Sequence, residues 1–140
     1  VRYVLDCSVA VRWFVPQTHS AVAVEVLRRF QRGETDLTAP DVIVPELGHV
    51  LRKLVLGRTI TEQQAAAFLD RFLAIPIEMV PARELALQAL DLALRHGATF
   101  YDALYLALAI RENCRVVTAD ERMTRAFATP DRTIPLASLA

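Results

Sequence analysis

The stretch T-F-Y-D-A-L-Y-L-A-L-A, residues 99–109, is apolar at nearly every position and free of glycine and proline. Such a run predicts a helix buried on almost all sides, as a core strut against a covered sheet rather than as an amphipathic surface helix. A single carboxylate, Asp102, stands near its start. Burying an unpaired carboxylate costs several kcal/mol by order of magnitude, about 0.3–1 kcal/mol of which the helix dipole returns, so this acid calls for a partner or a purpose.

Outward from that helix, β-type and helical runs alternate. An apolar strand spans residues 3–5 and ends at Asp6, and a short helix over residues 9–14 has Ser8 or Asp6 as its cap. Ser20 is expected to cap a helix carrying Val22, Val26, Leu27 and Phe30, closed by Gly33. A brief strand covers residues 37–39. Asp41 is then placed as the cap of a helix through Leu47, Val50, Leu51 and Leu54. Thr61 and Gln64 have the spacing of a capping box. Residues 77–80 form a strand between prolines, residues 82–96 an amphipathic helix ending at Gly97, residues 115–118 a strand, and Asp120 opens another helix before a last strand over residues 133–136. Alternation of this kind predicts an α/β fold with a parallel sheet covered by helices.

The 140 residues suit one domain, 1–140, without repeat or linker. Hydrophobic residues make up 54%, and mean hydropathy is +0.29, which excludes disorder and suggests a surface that a partner covers. No apolar run reaches the roughly 18 residues of a membrane span, and the first residues are too few and too strand-like for a signal peptide. A cytoplasmic protein with no membrane partner is expected. Sixteen basic residues balance sixteen acidic ones, so no net field draws the chain to nucleic acid. Cys7 and Cys114 fit no zinc spacing and read as small buried hydrophobes.

In open parallel sheets, sites gather at the carboxyl ends of strands and at the helix starts that follow. Asp6, Glu46, Asp102 and Asp120 all fall there. Each singly could serve a helix N-terminus. Together on one rim they would repel, and the repulsion must be relieved by protonation or by a cation. The only lysine, Lys53, lies two turns past Glu46, so no fixed basic partner is expected. Oxygen ligands of this kind suit Mg²⁺ or Mn²⁺, and the natural chemistry is metal-assisted hydrolysis of phosphodiesters.

Other acid-based chemistries fit less well. Glu46-x-x-His49 is half of a di-iron pattern whose second half is missing, and His49 is placed as a helix-face residue near the site that could touch substrate. A haloacid-dehalogenase-type phosphatase needs an acid where Ser8 stands, and a response-regulator receiver needs a lysine after a late strand, where Ala119 and Asp120 follow Thr118. No phosphate-binding glycine loop is present. Trp13, Phe14 and Tyr105 read as core rather than as base-stacking platforms.

Four segments, V-L-D-C-S-V-A-V-R-W-F, P-E-L-G-H-V-L, F-Y-D-A-L-Y-L-A-L-A and V-T-A-D-E-R-M, resemble in order those of PIN-domain proteins, most closely the toxin ribonucleases of bacterial and archaeal VapBC toxin–antitoxin pairs. The resemblance implies a PIN-like three-layer α/β/α fold with a central, mostly parallel sheet of about four or five short strands. It implies that Asp6, Glu46, Asp102 and Asp120 hold Mg²⁺ or Mn²⁺ for cleavage of RNA, supported by the hydroxyls of Ser8 and Thr118. No fifth ligand is assigned at Glu121. It further implies single-strand-selective endoribonuclease activity, a homodimer, and inhibition by a cognate antitoxin protein. Two alternatives stay open: a PIN-like module that binds RNA or protein without cleavage, and an RNA-maturation nuclease without an antitoxin.

Overall fold

A computed structural model describes residues 1–128 and 131–140 of the chain. Five parallel strands form one sheet: β1 (Arg2–Leu5), β2 (Asp36–Pro40), β3 (Glu78–Val80), β4 (Arg115–Thr118) and β5 (Thr133–Pro135), in the order β3-β2-β1-β4-β5. Between them run α1 (Cys7–Val11), α2 (Ser20–Gln31), α3 (Ile43–Leu56), α4 (Glu62–Ala74), α5 (Ala82–His96), α6 (Phe100–Arg111) and α7 (Glu121–Ala126). Residues of the final stretch expected as strand divide between β5 and a 3₁₀ turn, Leu136–Leu139.

Right-handed crossovers decide the layers. The connections β1→β2 and β2→β3 step toward one edge and carry α1 to α4 on one face. The connection β3→β4 passes back across the sheet and lays α6 against β1, β2 and β4 on the opposite face. The helix-covered parallel sheet expected from the alternation, and the three-layer α/β/α arrangement implied by the resemblance, are therefore present, with every strand pair parallel. The direction of progress reverses between β1 and β4, which makes their carboxyl ends the topological switch point of the sheet.

α6 is buried without interruption from Ala103 to Ala109 because α5 packs over its outer side while the sheet takes its inner side. Thr99 caps it, its Oγ1 accepting from the Asp102 main-chain N–H at 3.1 Å. The T-x-x-D spacing carried that signal. Among the described residues no helix is long and apolar enough to cross a membrane.

Several sequence expectations fail for through-space reasons. Asp41 does not cap α3, because the chain enters that helix already in helical conformation at Val42; its carboxylate instead accepts from the Ala82 N–H at 2.9 Å and holds the start of α5. This is possible because β2 and β3 are neighbours and α5 follows β3. Ser20 is the first residue of α2 rather than its cap; His19 precedes it at φ 65°, and the Ser20 hydroxyl accepts from the Gln17 N–H. The first short helix begins at Cys7, two residues early, and neither Asp6 nor Ser8 caps it with a side chain. The Thr61–Gln64 capping box forms as expected, with both reciprocal bonds. Trp13 and Tyr105 are buried, and the Trp13 indole donates to the Ala23 carbonyl at 2.8 Å, whereas Phe14 is half-buried against Phe68.

α5 departs from simple amphipathicity. Its buried stripe runs through Leu85, Ala89 and Leu92, yet Leu87, Leu90 and Leu94 lie along its outer side at 88%, 50% and 77% exposure. A truncation should therefore discriminate sharply between the two kinds of leucine. Leu106→Ala, in the fully enclosed part of α6, is expected to lower unfolding free energy by about 2–5 kcal/mol, and Leu87→Ala by less than about 0.5 kcal/mol, in urea titrations followed by circular dichroism. Equal losses would refute the two-sided burial of α6.

Candidate active site

Asp6 leaves β1 at the switch point and is 4% exposed. Its Oδ2 accepts from the Ser8 hydroxyl and from the Thr118 hydroxyl, the latter at 2.8 Å. Each hydroxyl is itself oriented by a main-chain donor from the end of β4: Ala119 N–H to Ser8 Oγ and Asp120 N–H to Thr118 Oγ1, both at 2.9 Å. The Asp6 N–H in turn donates to the Val117 carbonyl. Groups from the ends of β1 and β4 thus form one connected hydrogen-bond set, made possible by the pairing of Leu5 with Val117. Ser8 and Thr118, the hydroxyls that the family resemblance implied as supporting groups, are both bonded to Asp6.

The other acids face the same place from different elements. Glu46 is in the first turn of α3, Asp102 in the first turn of α6, and Asp120 at the N-terminal cap of α7. Their charges act on one another. Burial pushes the Asp6 carboxyl above its usual range even against two hydroxyl donors, and Asp102 and Asp120 add to the rise. Burial likewise raises Asp102. Glu46 is pushed up to about 7, first by burial and then by Asp6 and Asp102.

Arg122 overturns the expectation that the acids lack a fixed basic partner. Its Nη2 lies 3.1 Å from Asp102 Oδ2 and 3.1 Å from Asp120 Oδ2, while its main-chain N–H caps onto Asp120 Oδ1 at 2.9 Å. The D-x-R spacing makes the contact to Asp120 local, whereas the contact to Asp102 arises only because α6 and α7 start on the same rim. Asp102 is therefore paired, not stranded among apolar neighbours.

Tyr105 is fully buried, as expected of a core residue, and its hydroxyl also lies beside the acids. It follows Asp102 by three residues on one helical face. The phenol lies beside Glu46 and opposes the rise of that carboxyl, yet the approach falls short of a regular hydrogen bond. Glu46 Oε1 and Tyr105 Oη are both buried and lack a partner among the described residues.

These donors fit a hard divalent cation by chemistry: all are carboxylate oxygens, and among the described residues Asp6 and Glu46 form no ion pair and Glu46 Oε1 is orphaned. Among the described residues no three carboxylate, imidazole or thiol side chains stand close enough together to hold an ion as they are placed. A groove of about 520 Å³ opens beside the acids, with Val42, Pro45 and Val50 along α3, Tyr101 and Asp102 at the start of α6, and Glu46, His49 and Arg122 supplying polar groups. His49 is an exposed residue of that groove, as expected. Cys7 and Cys114 are unpaired with each other, Cys7 buried and its thiol raised by burial.

Comparison with known proteins points the same way. Residues 3–127 match the family described as PIN domain. Ribonuclease VapC1 of Mycobacterium tuberculosis is 33% identical over 127 residues, covering 91% of this chain and 92% of the relative. Ribonuclease VapC3 of Pyrobaculum aerophilum is 30% identical over 132 residues, covering 91% and 95%. Among solved structures, a Pyrobaculum aerophilum protein superposes with a TM-score of 0.71 at 22% identity, covering 99% of this chain and 86% of that one. VapBC2 of Rickettsia felis, solved bound to a fragment of its promoter DNA, gives 0.66 at 18% identity, covering 96% and 98%. The structural likenesses speak for the fold.

A pH test follows from Glu46. Its folded-state pKa of about 7 stands above the ordinary 4.5, so the folded protein holds a proton that the unfolded chain releases. Without metal, stability is fully present below about pH 4.5 with respect to this group and falls as pH rises toward 7, by about 2–3 kcal/mol at most. Glu46→Gln should remove that slope between pH 5 and 7 in urea titrations. An unchanged slope would show that another group carries it.

Proposed function

The chain belongs to the PIN-domain family, its curated relatives being VapC ribonucleases, and on that premise we propose that it is a metal-dependent endoribonuclease, the toxin of a type II toxin–antitoxin pair. Residues 1–140 would act as a single domain. Asp6, Glu46, Asp102 and Asp120 would hold Mg²⁺ or Mn²⁺, with Ser8 and Thr118 as supporting hydroxyls. The observation that carries this reading is the meeting of the four acids, from residues far apart in sequence, around the β1–β4 switch point.

When bound, a divalent ion supplies a water of lowered pKa and neutralises charge developing on a phosphate. The chain's own residues have separable tasks. Ser8 and Thr118 orient the Asp6 carboxylate by donating to Oδ2, leaving Oδ1 free to ligate. Glu46 gives up a proton near neutrality, so the acid set gains negative charge, and attraction for a cation, as pH rises through 7. Asp120 is fixed at the α7 cap, which limits its carboxylate to one orientation. The groove past Val42, Pro45 and Val50 offers apolar wall to an unstacked base, which suits single-stranded RNA better than a duplex.

The fold supports two partners. An exposed leucine stripe on α5, Leu87, Leu90 and Leu94, suits a second copy of the chain. The VapBC2 neighbour supports a cognate antitoxin protein. One observation favours the alternative of a PIN-like module that binds without cutting: Arg122 already satisfies two of the acids.

Asp6→Asn and Asp102→Asn should each reduce Mn²⁺-dependent cleavage of a mixed single-stranded RNA pool by at least about 10²-fold, with folding retained by circular dichroism. Ser8→Ala should lose about tenfold, as expected for a residue that orients a ligand. Cleavage persisting in both acid variants would show that these acids do not carry the chemistry, whereas a folded wild type that binds the RNA without cutting it at saturating Mn²⁺ would leave the binding module. Light scattering of the wild type beside Leu90→Arg tests the second copy: a dimer that becomes monomer is expected.

A further inference from the structure

The arginine that bridges Asp102 and Asp120 sits where the proposed metal needs donors. Asp102 is 13% exposed at its side chain and Asp120 32%, whereas the Arg122 side chain is 59% exposed and reaches in from the groove rim. One guanidinium nitrogen serves both carboxylates at 3.1 Å. Among the described residues the neighbouring acids form no ion pair, although Arg12 and Arg122 act on Asp6 at longer range. The Asp6 carboxylate accepts from two hydroxyls, and Glu46 Oε1 and the fully buried Tyr105 Oη, both beside this group, have no partner among the described residues. The site is thus half neutralised, by a flexible side chain anchored outside it, and half left wanting a positive charge or a proton.

We infer that Arg122 is a built-in counter-ion that holds Asp102 and Asp120 in the metal-free protein, and that a divalent cation takes these two carboxylates only by displacing it. The inference rests on the reading of the four acids as a metal site. Two features favour exchange over a permanent bridge. A guanidinium and a divalent ion cannot share the same two carboxylate oxygens, because the like charges would stand within a few ångströms. The arginine also gives up little on leaving, since its own side chain is more than half exposed and water can take over its donors. Asp120 keeps its α7 cap from the Arg122 main-chain N–H whichever way the side chain points, so the exchange leaves the backbone in place.

Displacement also gives Arg122 a second use. The freed guanidinium remains at the rim of the groove that a phosphodiester would enter, and guanidinium is the side chain best shaped to take phosphate oxygens in a fork. Metal binding would then convert a residue that neutralises the acids into one that receives the substrate. The two events are coupled: a cation that frees Arg122 favours the anion, and the reverse holds equally.

The test is a Mn²⁺ titration by calorimetry on wild type, Arg122→Gln and Arg122→Lys, with thermal melting to confirm that each is folded. Arg122→Gln should bind Mn²⁺ about three- to tenfold more tightly than wild type, and Arg122→Lys should fall between them. In the wild type, Mg²⁺ should move the Arg122 side-chain Nε–H resonance toward its solvent-exposed position. Equal or weaker affinity in Arg122→Gln, with Mn²⁺ bound by the wild type, overturns the exchange while sparing the metal site. An Arg122 resonance that stays put under saturating Mg²⁺ overturns it without relying on any variant. Absence of binding in all three proteins removes the metal site and the exchange with it.

Discussion

One buried carboxylate, held by hydroxyls and without an ion pair among the described residues, sets the terms for this structure. Asp6 lies at the end of β1 with its Oδ2 shared between two hydroxyls, one from its own helix and one from β4. Those hydroxyls must stand within hydrogen-bond reach, so β1 and β4 have to be neighbours in register, Leu5 opposite Val117. Once that pairing exists, the switch point of the sheet is at Asp6, and the helices that follow neighbouring strands start around it. Fold and site share the same constraint: neither the β1–β4 pairing nor the placing of Asp120 could shift by a residue without stripping a buried acid of its donors. A one-residue slip would also turn each strand's side chains to the opposite face.

Helix α6 shows how the core and the site are joined. A helix with a solvent face could not have presented Asp102 and Tyr105 inward while being packed along its whole length. Enclosure by α5 outside and the sheet inside makes the helix rigid, and the acid near its first turn inherits that rigidity. The cost appears elsewhere. Having spent one face on α6, α5 leaves leucines on its other side in water, and the high hydrophobic content of the chain is partly surface rather than core. A protein that exposes such a stripe gains by association.

The charge arrangement is not uniform across the site. On the Asp102–Asp120 side, a flexible arginine compensates. On the Asp6–Glu46 side, burial and mutual repulsion hold the carboxyls above their usual range, and Glu46 titrates near neutral pH. On the proposed reading, a cation would be held most strongly where the cavity is buried, and the counter-ion would leave most easily where it is open. This gradient runs from the wall of the core to the groove in which a polymer could lie.

Residue periodicity alone determined the element types, because a period near two or near 3.6 is a local property of the chain. The strand over 115–118 and the helix over 82–96 match their observed bounds, and alternation sufficed for a parallel α/β sheet. It also marked Asp6, Glu46, Asp102 and Asp120 as rim residues, since a carboxylate after a strand or in a first helical turn can be recognised within a few residues. What only the tertiary structure decided are contacts between groups that the chain separates. Asp41 caps α5 rather than α3, Arg122 reaches Asp102 as well as its neighbour Asp120, and the hydroxyl of a core tyrosine lies beside Glu46. Capping, pairing and desolvation act through space over a few ångströms, and sequence spacing does not measure that distance once the chain has crossed the sheet.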